Sequence, residues 1–361
     1  MYLLAALGLA IAAAILAWGW RRRSDSKSDS KVNTTCIEPL SDFDWQQSPP
    51  AKHRPFKPVY HITMGMLSLL TPHSGLSQLT HLAAIQASPP DELIIIDSNY
   101  LDRVTERRDV IKQHGSVVLG AVPEGIAALH EVWTYLLSDY LPKRYPTMFS
   151  LSDDGLRFHN KVTGVSLPLT PPEDPNAALR ALGETVEDDL FLLVETPEGH
   201  RAAAFVCCHP AGFDPSDKLG KLLKDIHTPV PSYEKIGASM ERFFSRLQVG
   251  KSVKRMNWSV STKPNLFSPS GLHIYDGDKV EKDENVDISQ ELQTLTRLPK
   301  TGAVLFSFKT YLTPLEEIKS EGLGPQVADA IEGLKSGNAP GMWVYKGASR
   351  WGESVCEYLR A

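Results

Sequence analysis

The sequence predicts an α+β fold, and three observations carry that prediction. First, "DDLFLLVET" from Asp188 and "HRAAAFVCC" from His200 flank Pro197-Glu198-Gly199, the pattern of a β-hairpin. Second, "SVKRMNWSV" from Ser252 and "GAVLFSFKTY" from Gly302 are strand-like runs rich in β-branched and aromatic residues. Third, helical periodicity is segregated from these strands, which favours antiparallel pairing over βαβ units.

The chain of 361 residues holds 42% hydrophobic and 22% charged residues, enough to bury a substantial core. A net charge of -5 argues against nucleic acid as the main partner. The cysteines, Cys36, Cys207, Cys208 and Cys356, show no C-x-x-C spacing. Scattered thiols of this kind fit a reducing compartment better than a disulfide framework.

Tyr2 to Trp20 carries no charge and is followed at once by Arg21, Arg22 and Arg23. A run of this length as a helix spans ~28 Å, close to the hydrocarbon core of a bilayer. Residues 1–20 are therefore expected to form one transmembrane anchor. The arginines place the remainder on the cytosolic face of the endoplasmic reticulum or another internal membrane. The polar "SDSKSDS" and the proline-rich stretch after it make residues 21–55 an expected linker, leaving 56–361 as the globular domain.

Within the domain, Phe56 to Phe149 reads as mostly helical. Asp97 is placed to cap a helix carrying Leu101, Val104 and Val110 inward. Ile126, Leu129, Val132, Trp133, Leu136 and Leu137 form a second stripe, ended by Pro142 and Pro146. Asp214-Pro215-Ser216-Asp217 has the form of a helix start, with an end near Asp225. Ser232 is a candidate cap for a helix presenting Ile236, Met240, Phe243, Phe244 and Leu247. Ser268 to Asp287 reads as a long loop.

Several segments in this order resemble one family. They include "HITMGMLSL" at His61, "IIIDSNYLDRVTERR" at Ile94, "YLLSDYLPKRYPTMF" at Tyr135 and "VEDDLFLL" at Val186. They continue with "HPAGFDPSDKLGKLLKDIHTPVP" at His209, "NWS" at Asn257 and "QELQTLTRLPKTGAVLFSFKTYLTPL" at Gln290. Together they resemble the haem-dependent oxidative N-demethylase alpha-subunit-like family. That resemblance implies a PAS-like antiparallel sheet with flanking helices that binds haem b. It also implies O₂-dependent demethylation of a small amine or biosynthetic metabolite. Electrons would come from a separate flavin and iron–sulfur reductase. One departure stands out: family members read Glu-Arg-Gln-Thr-Leu where this chain has Glu291-Leu292-Gln293-Thr294-Leu295, so Leu292 replaces an arginine.

Under the resemblance, His227 is the first candidate for the axial iron ligand. It sits before the stiff Thr228-Pro229-Val230-Pro231 segment. Read from residues alone, it serves equally as a cap on helix-terminal carbonyls. His209 is the runner-up, with Cys208 behind it as a thiolate. Arg255, Asn257 and Ser259 alternate with Met256, Trp258 and Val260, which puts the polar three on one strand face. That face either lines a pocket or is half-solvated. In the first case Arg255 pairs a haem propionate and Asn257 orients oxygen or substrate. Glu291 suits an amine substrate or proton delivery, unless it is a surface helix residue. Lys218 is a further propionate partner, or a solvated lysine.

No G-x-G-x-x-G after a strand, Walker loop, H-E-x-x-H or G-x-S-x-G is present, so the chain shows no nucleotide or flavin site of its own. The alternative to an enzyme is a haem-binding PAS-type sensor or carrier, or a haemless scaffold.

Overall fold

The computed structural model describes residues 37–54, 56–62, 85–274 and 287–361. The expected anchor at Tyr2–Trp20 and most of the tether lie outside the described residues. Among the described residues, no helix is long and apolar enough to cross a membrane.

Ten strands and a set of helices alternate along the chain. The strands are β1 (Gln86–Ser88), β2 (Leu119–Ala121), β3 (Phe149–Leu151), β4 (Arg157–Asn160), β5 (Ser166–Pro168), β6 (Asp189–Thr196), β7 (Gly199–Val206), β8 (Ser252–Ser261), β9 (Asp287–Arg297) and β10 (Val304–Pro314). Seven form one antiparallel sheet in the order β1-β8-β9-β10-β6-β7-β2, and β3-β4-β5 make a small second sheet. The expected hairpin is β6–β7, with Thr196 opposite Gly199 at its turn. A bulge at Leu192/Leu193 shifts the phase, so Ala202 and Ala204 face opposite sides although two residues apart.

Each sheet face has its own cover. Helices Tyr100–His114, Ile126–Thr134 and Pro175–Gly183 bury Val104, Ile111, Leu129, Trp133 and Leu182 against Leu190, Leu192, Val206 and Leu305 of the sheet. On the other face, helix Gly237–Arg246 brings Met240 and Phe244 onto Leu193, Val253 and Val304. At the far end of β8 and β9, the C-terminal helices Leu315–Ser320, Gly324–Glu332, Met342–Tyr345 and Ala348–Arg360 pack Ile318, Val327, Ile331, Trp351 and Val355 with Val260 and Ile288, which share the parity of Met256 and Leu292.

Several expectations need correction. Asp97 lies ahead of the first helix, where its Oδ1 accepts the Asn99 N–H at 2.9 Å, and Leu101 points outward at 39% exposure. Pro142 does not end the second helix. A π turn at Tyr135–Tyr140 resets the hydrogen-bond pattern, and Pro142 falls in the first turn of Leu141–Arg144, where its missing N–H costs little. Asp214 holds Ser216 through N–H (2.9 Å) and hydroxyl (2.6 Å) bonds, but only a 3₁₀ turn at Ser216–Lys218 follows. Gly220, at φ 76, turns the chain before the short helix Leu223–Ile226. Ser232 makes no side-chain cap and sits itself at φ 63 ahead of a 3₁₀ turn, so the next helix starts at Gly237. Glu291 lies in the middle of β9 and not on a helix.

Residues 37–54 fall in the expected linker, yet Ile37 to Trp45 lie on the helical core, and Lys52 and Arg54 pair with Glu321. Ile37 is buried there, Leu40, Phe43 and Trp45 pack beside it, and the Leu40 N–H donates to the Arg144 carbonyl at 2.8 Å. Four large apolar side chains in a polar stretch give it enough surface to dock.

Candidate functional site

The alternation along β8 turns Val253, Arg255, Asn257 and Ser259 to one side, and all four line a cavity of about 310 Å³ between the sheet and helix Gly237–Arg246. Glu291, Gln293 and Leu295 of β9 join them, as do Phe306 and Phe308 of β10 and Phe191 and Leu193 of β6. The walls are thus mainly aromatic and aliphatic, with a polar strip at one end.

Register builds that strip. Arg255 lies opposite Gln293, and Asn257 opposite Glu291. The Arg255 Nε–H donates to Gln293 Oε1 at 2.6 Å. Gln293 Nε2 in turn donates to Glu291 Oε2 at 2.7 Å, and Asn257 Nδ2 donates to the same oxygen at 3.1 Å. Glu291 Oε1 has no hydrogen bond among the described residues. The bonds fix both amide orientations, because Gln293 must accept from a guanidinium and donate to a carboxylate.

His227 ends the short helix Leu223–Ile226 and lines the same cavity. Its Nδ1–H donates to the Leu223 carbonyl at 2.8 Å, and its ring stacks on Tyr233 with centroids 5.1 Å apart and planes 11° from parallel. Burial holds its pKa below the usual value, so the ring is neutral near pH 7. With the proton on Nδ1, the lone pair is on Nε2. The helix cap and a cavity-lining imidazole are therefore the same side chain: Nδ1 satisfies a helix carbonyl, and Nε2 makes no hydrogen bond among the described residues.

Lys218 lines the cavity with its Nζ 5.9 Å from the centre of the Phe213 ring. Burial lowers its pKa, while Asp217 and Asp214 oppose that shift from outside hydrogen-bond range. Neither Lys218 Nζ nor the terminal guanidinium nitrogens of Arg255 have a hydrogen-bond or ion-pair partner among the described residues. Lys254, also on the rim, is by contrast paired with Glu92.

All five sequence candidates, His227, Lys218, Arg255, Asn257 and Glu291, thus meet in one cavity. The runners-up do not. The backbone N–H groups of Cys208 and His209 bind the Asp189 carboxylate at 2.7 and 2.9 Å, and neither side chain lines the cavity. Leu292 faces the opposite side of β9, where it borders a separate cleft with Met256 and Tyr145.

Three lining residues escaped the sequence reading. Gln293 is the link between Arg255 and Glu291, and strand alternation from Glu291 would have found it. Lys346 is only 5% exposed, donates from Nζ to the Trp258 carbonyl at 2.7 Å and lies 5.7 Å from the Tyr60 and Trp258 ring centres. Burial pushes this ammonium down to about 8, against the pull of Glu291 and with the push of Arg255. The only local signal was one lysine closing the apolar run Met342–Tyr345. His273 stacks on Tyr345 at 4.5 Å; burial first, then Lys346, push it down to about 4, so it is neutral.

A charged, dicarboxylate macrocycle would find in this cavity what it requires: apolar walls, two uncompensated cations and a neutral imidazole with a free nitrogen. Residues 84–356, most of the chain, match the family described as haem-dependent oxidative N-demethylase, alpha subunit-like.

Proposed function

The chain belongs to the haem-dependent oxidative N-demethylase alpha-subunit-like family, and on that premise we propose that it is a haem b oxygenase that removes a methyl group from a small secondary amine or biosynthetic metabolite. The balanced reaction is R–NH–CH₃ + O₂ + 2e⁻ + 2H⁺ → R–NH₂ + CH₂O + H₂O. A separate flavin and iron–sulfur reductase delivers the electrons. The N-methyl C–H bond is oxidised, O₂ is reduced, and the C–N bond breaks as formaldehyde leaves.

The observation that carries this reading is His227 Nε2, left without its proton by the Nδ1–carbonyl bond and facing a cavity with two unpaired cations. Haem, when bound, supplies oxygen activation and one-electron chemistry. The chain supplies the rest. His227 would hold the iron, and its bond to Leu223 fixes the ring plane, as a partner on the second nitrogen does in metal sites. Lys218 and Arg255 would hold the two propionates. Phe191, Phe306 and Phe308 exclude water. Asn257 orients the bound reactant, and Glu291 holds the amine proton or relays one. Non-covalent haem b is favoured because the chain contains no C-x-x-C-H attachment segment.

The test is the His227→Ala protein, expressed with haem precursor and compared with His209→Ala. His227→Ala is expected to lose its Soret band while keeping a native circular-dichroism spectrum, and His209→Ala to keep the band. A wild-type Soret band in His227→Ala would overturn the ligand assignment. No Soret band in the parent protein would favour a haemless scaffold. A Soret band without formaldehyde from any methylamine and reductase would favour a sensor or carrier.

The anchor belongs to the same proposal: Tyr2–Trp20 holds the protein at an internal membrane. Removal of residues 1–23 should move it from the membrane pellet to the supernatant.

A further inference from the structure

Charges around the cavity can be assigned one by one. Lys254 is neutralised by Glu92 on the rim. His227 is given to the iron in the reading above, and burial keeps His273 neutral. Lys218 and Arg255 are matched by the two haem propionates in the reading above. What remains is one carboxylate, Glu291, and one ammonium, Lys346, both lining the same cavity.

Each of the two keeps bonding capacity in reserve. Glu291 Oε2 already accepts two amide bonds, whereas Oε1 accepts none among the described residues. Lys346 gives one of its three hydrogens to the Trp258 carbonyl and makes no other hydrogen bond among the described residues. A simple cationic amine is poorly served here. It would reach Glu291 only alongside another buried positive charge, where Coulomb repulsion is weakly screened. An anion alone would meet Glu291. A molecule with both charges satisfies both side chains.

We infer that the substrate is a zwitterion, an N-methyl amino acid or close analogue, with its ammonium on Glu291 and its carboxylate on Lys346. This rests on the haem reading, since only bound haem removes Lys218 and Arg255 from the contest for the carboxylate. Lys346 is then a specificity residue. The structural alternative is a brace that ties helix Met342–Tyr345 to the edge of β8 through the Trp258 carbonyl. A brace has no reason to distinguish a carboxylate-bearing ligand from the same ligand without it.

The experiment uses the full-length haem-loaded protein and matched ligand pairs that differ by one carboxylate. The pairs are N-methylalanine with N-methylethylamine, and N-methylphenylalanine with N-methylphenethylamine, titrated by calorimetry. The expected result is at least tenfold tighter binding of the carboxylate-bearing member in one pair. That ratio should fall to near one in Lys346→Met and be largely restored in Lys346→Arg. Equal or tighter binding of the simple amine overturns the inference, as does failure of both pairs to bind. So does a ratio that survives in a Lys346→Met protein that still shows its Soret band. Those three results leave the haem reading standing. A parent protein without a Soret band removes the haem reading and this inference with it.

Discussion

Two lysines of nearly equal burial sit on opposite faces of the seven-stranded sheet. Lys309 of β10 is 4% exposed and Lys346 is 5% exposed. Lys309 Nζ is 2.7 Å from Asp97 and 2.8 Å from Glu187, and it also donates to the Ile95 carbonyl at 3.0 Å. Burial pulls its pKa down, but the two acids more than offset that and raise it. Lys346 has one backbone carbonyl and a more distant Glu291, and is pushed down to about 8. On the Lys309 face the protein supplies its own counter-charges. Beside it, Arg107 donates to the Gly183 carbonyl at 2.7 Å and to Asp189 at 2.5 Å, and Asp189 accepts the backbone N–H groups of Cys208 and His209. On the cavity face Lys346 has no ion-pair partner among the described residues. A buried charge with all its partners marks structure; one without them marks a place where something binds.

The largest expected effect breaks the sealed face. Lys309→Met leaves Asp97 and Glu187 buried without their cation and should cost about 3–5 kcal/mol in denaturant unfolding, the usual penalty for half of a buried ion pair. Lys346→Met should change stability by about 1 kcal/mol or less, because it removes a charge with little native pairing. Equal losses in the two variants would erase the distinction.

A second effect belongs to the open face. Arg255→Met should weaken haem binding about tenfold, roughly 1.4 kcal/mol for one charge-assisted contact, in a titration followed at the Soret band. Its unfolding midpoint without haem should match the parent protein.

The third effect is pH dependence. Burial pushes Asp188 up to about 8 and Glu187 up to about 7, with Lys309 opposing in each case. A carboxyl with a raised native pKa binds more protons folded than unfolded between its ordinary value and the raised one. Stability therefore falls as pH rises through that window, from about 4 to about 8. Asp188→Asn removes one such group. Relative to the parent it should gain on the order of 1 kcal/mol in stability from pH 5 to pH 8, read from urea midpoints. A constant difference across that range would count against a protonated Asp188.

The smallest effect is a control. Leu101→Ser, at an outward position on helix Tyr100–His114, should stay within about 0.5 kcal/mol of the parent.

The parts of the fold that were legible in the sequence are those with local signals. The β6–β7 hairpin was readable from its turn, and β8 and β10 from their composition. The polar stripe of β8 was readable from period-two alternation, which also placed Arg255 and Asn257 on one face. The site candidates met in one cavity because strand parity and a proline-stiffened turn are local facts. What was not legible depended on distant partners. Glu291 looked ambiguous because "QELQTLTRL" has no strong strand composition, and only pairing with β8 and β10 makes it a central strand. Lys346 carries no motif; its meaning comes from Tyr60, Trp258 and Glu291, all remote in sequence. The helix expected after Asp214 was defeated by Gly220, whose left-handed backbone ended the run. Asp97 matched a capping pattern, but Lys309 claims its other oxygen.

The meeting of Lys346 with the Tyr60 ring bears on when the cavity can exist. The two residues are separated by nearly all of the described chain. Contacts of such sequence separation carry a large loop-closure entropy and form late, after local helices and hairpins have condensed. In the proposed reading, haem would then be captured only once Tyr60 and Lys346 have met.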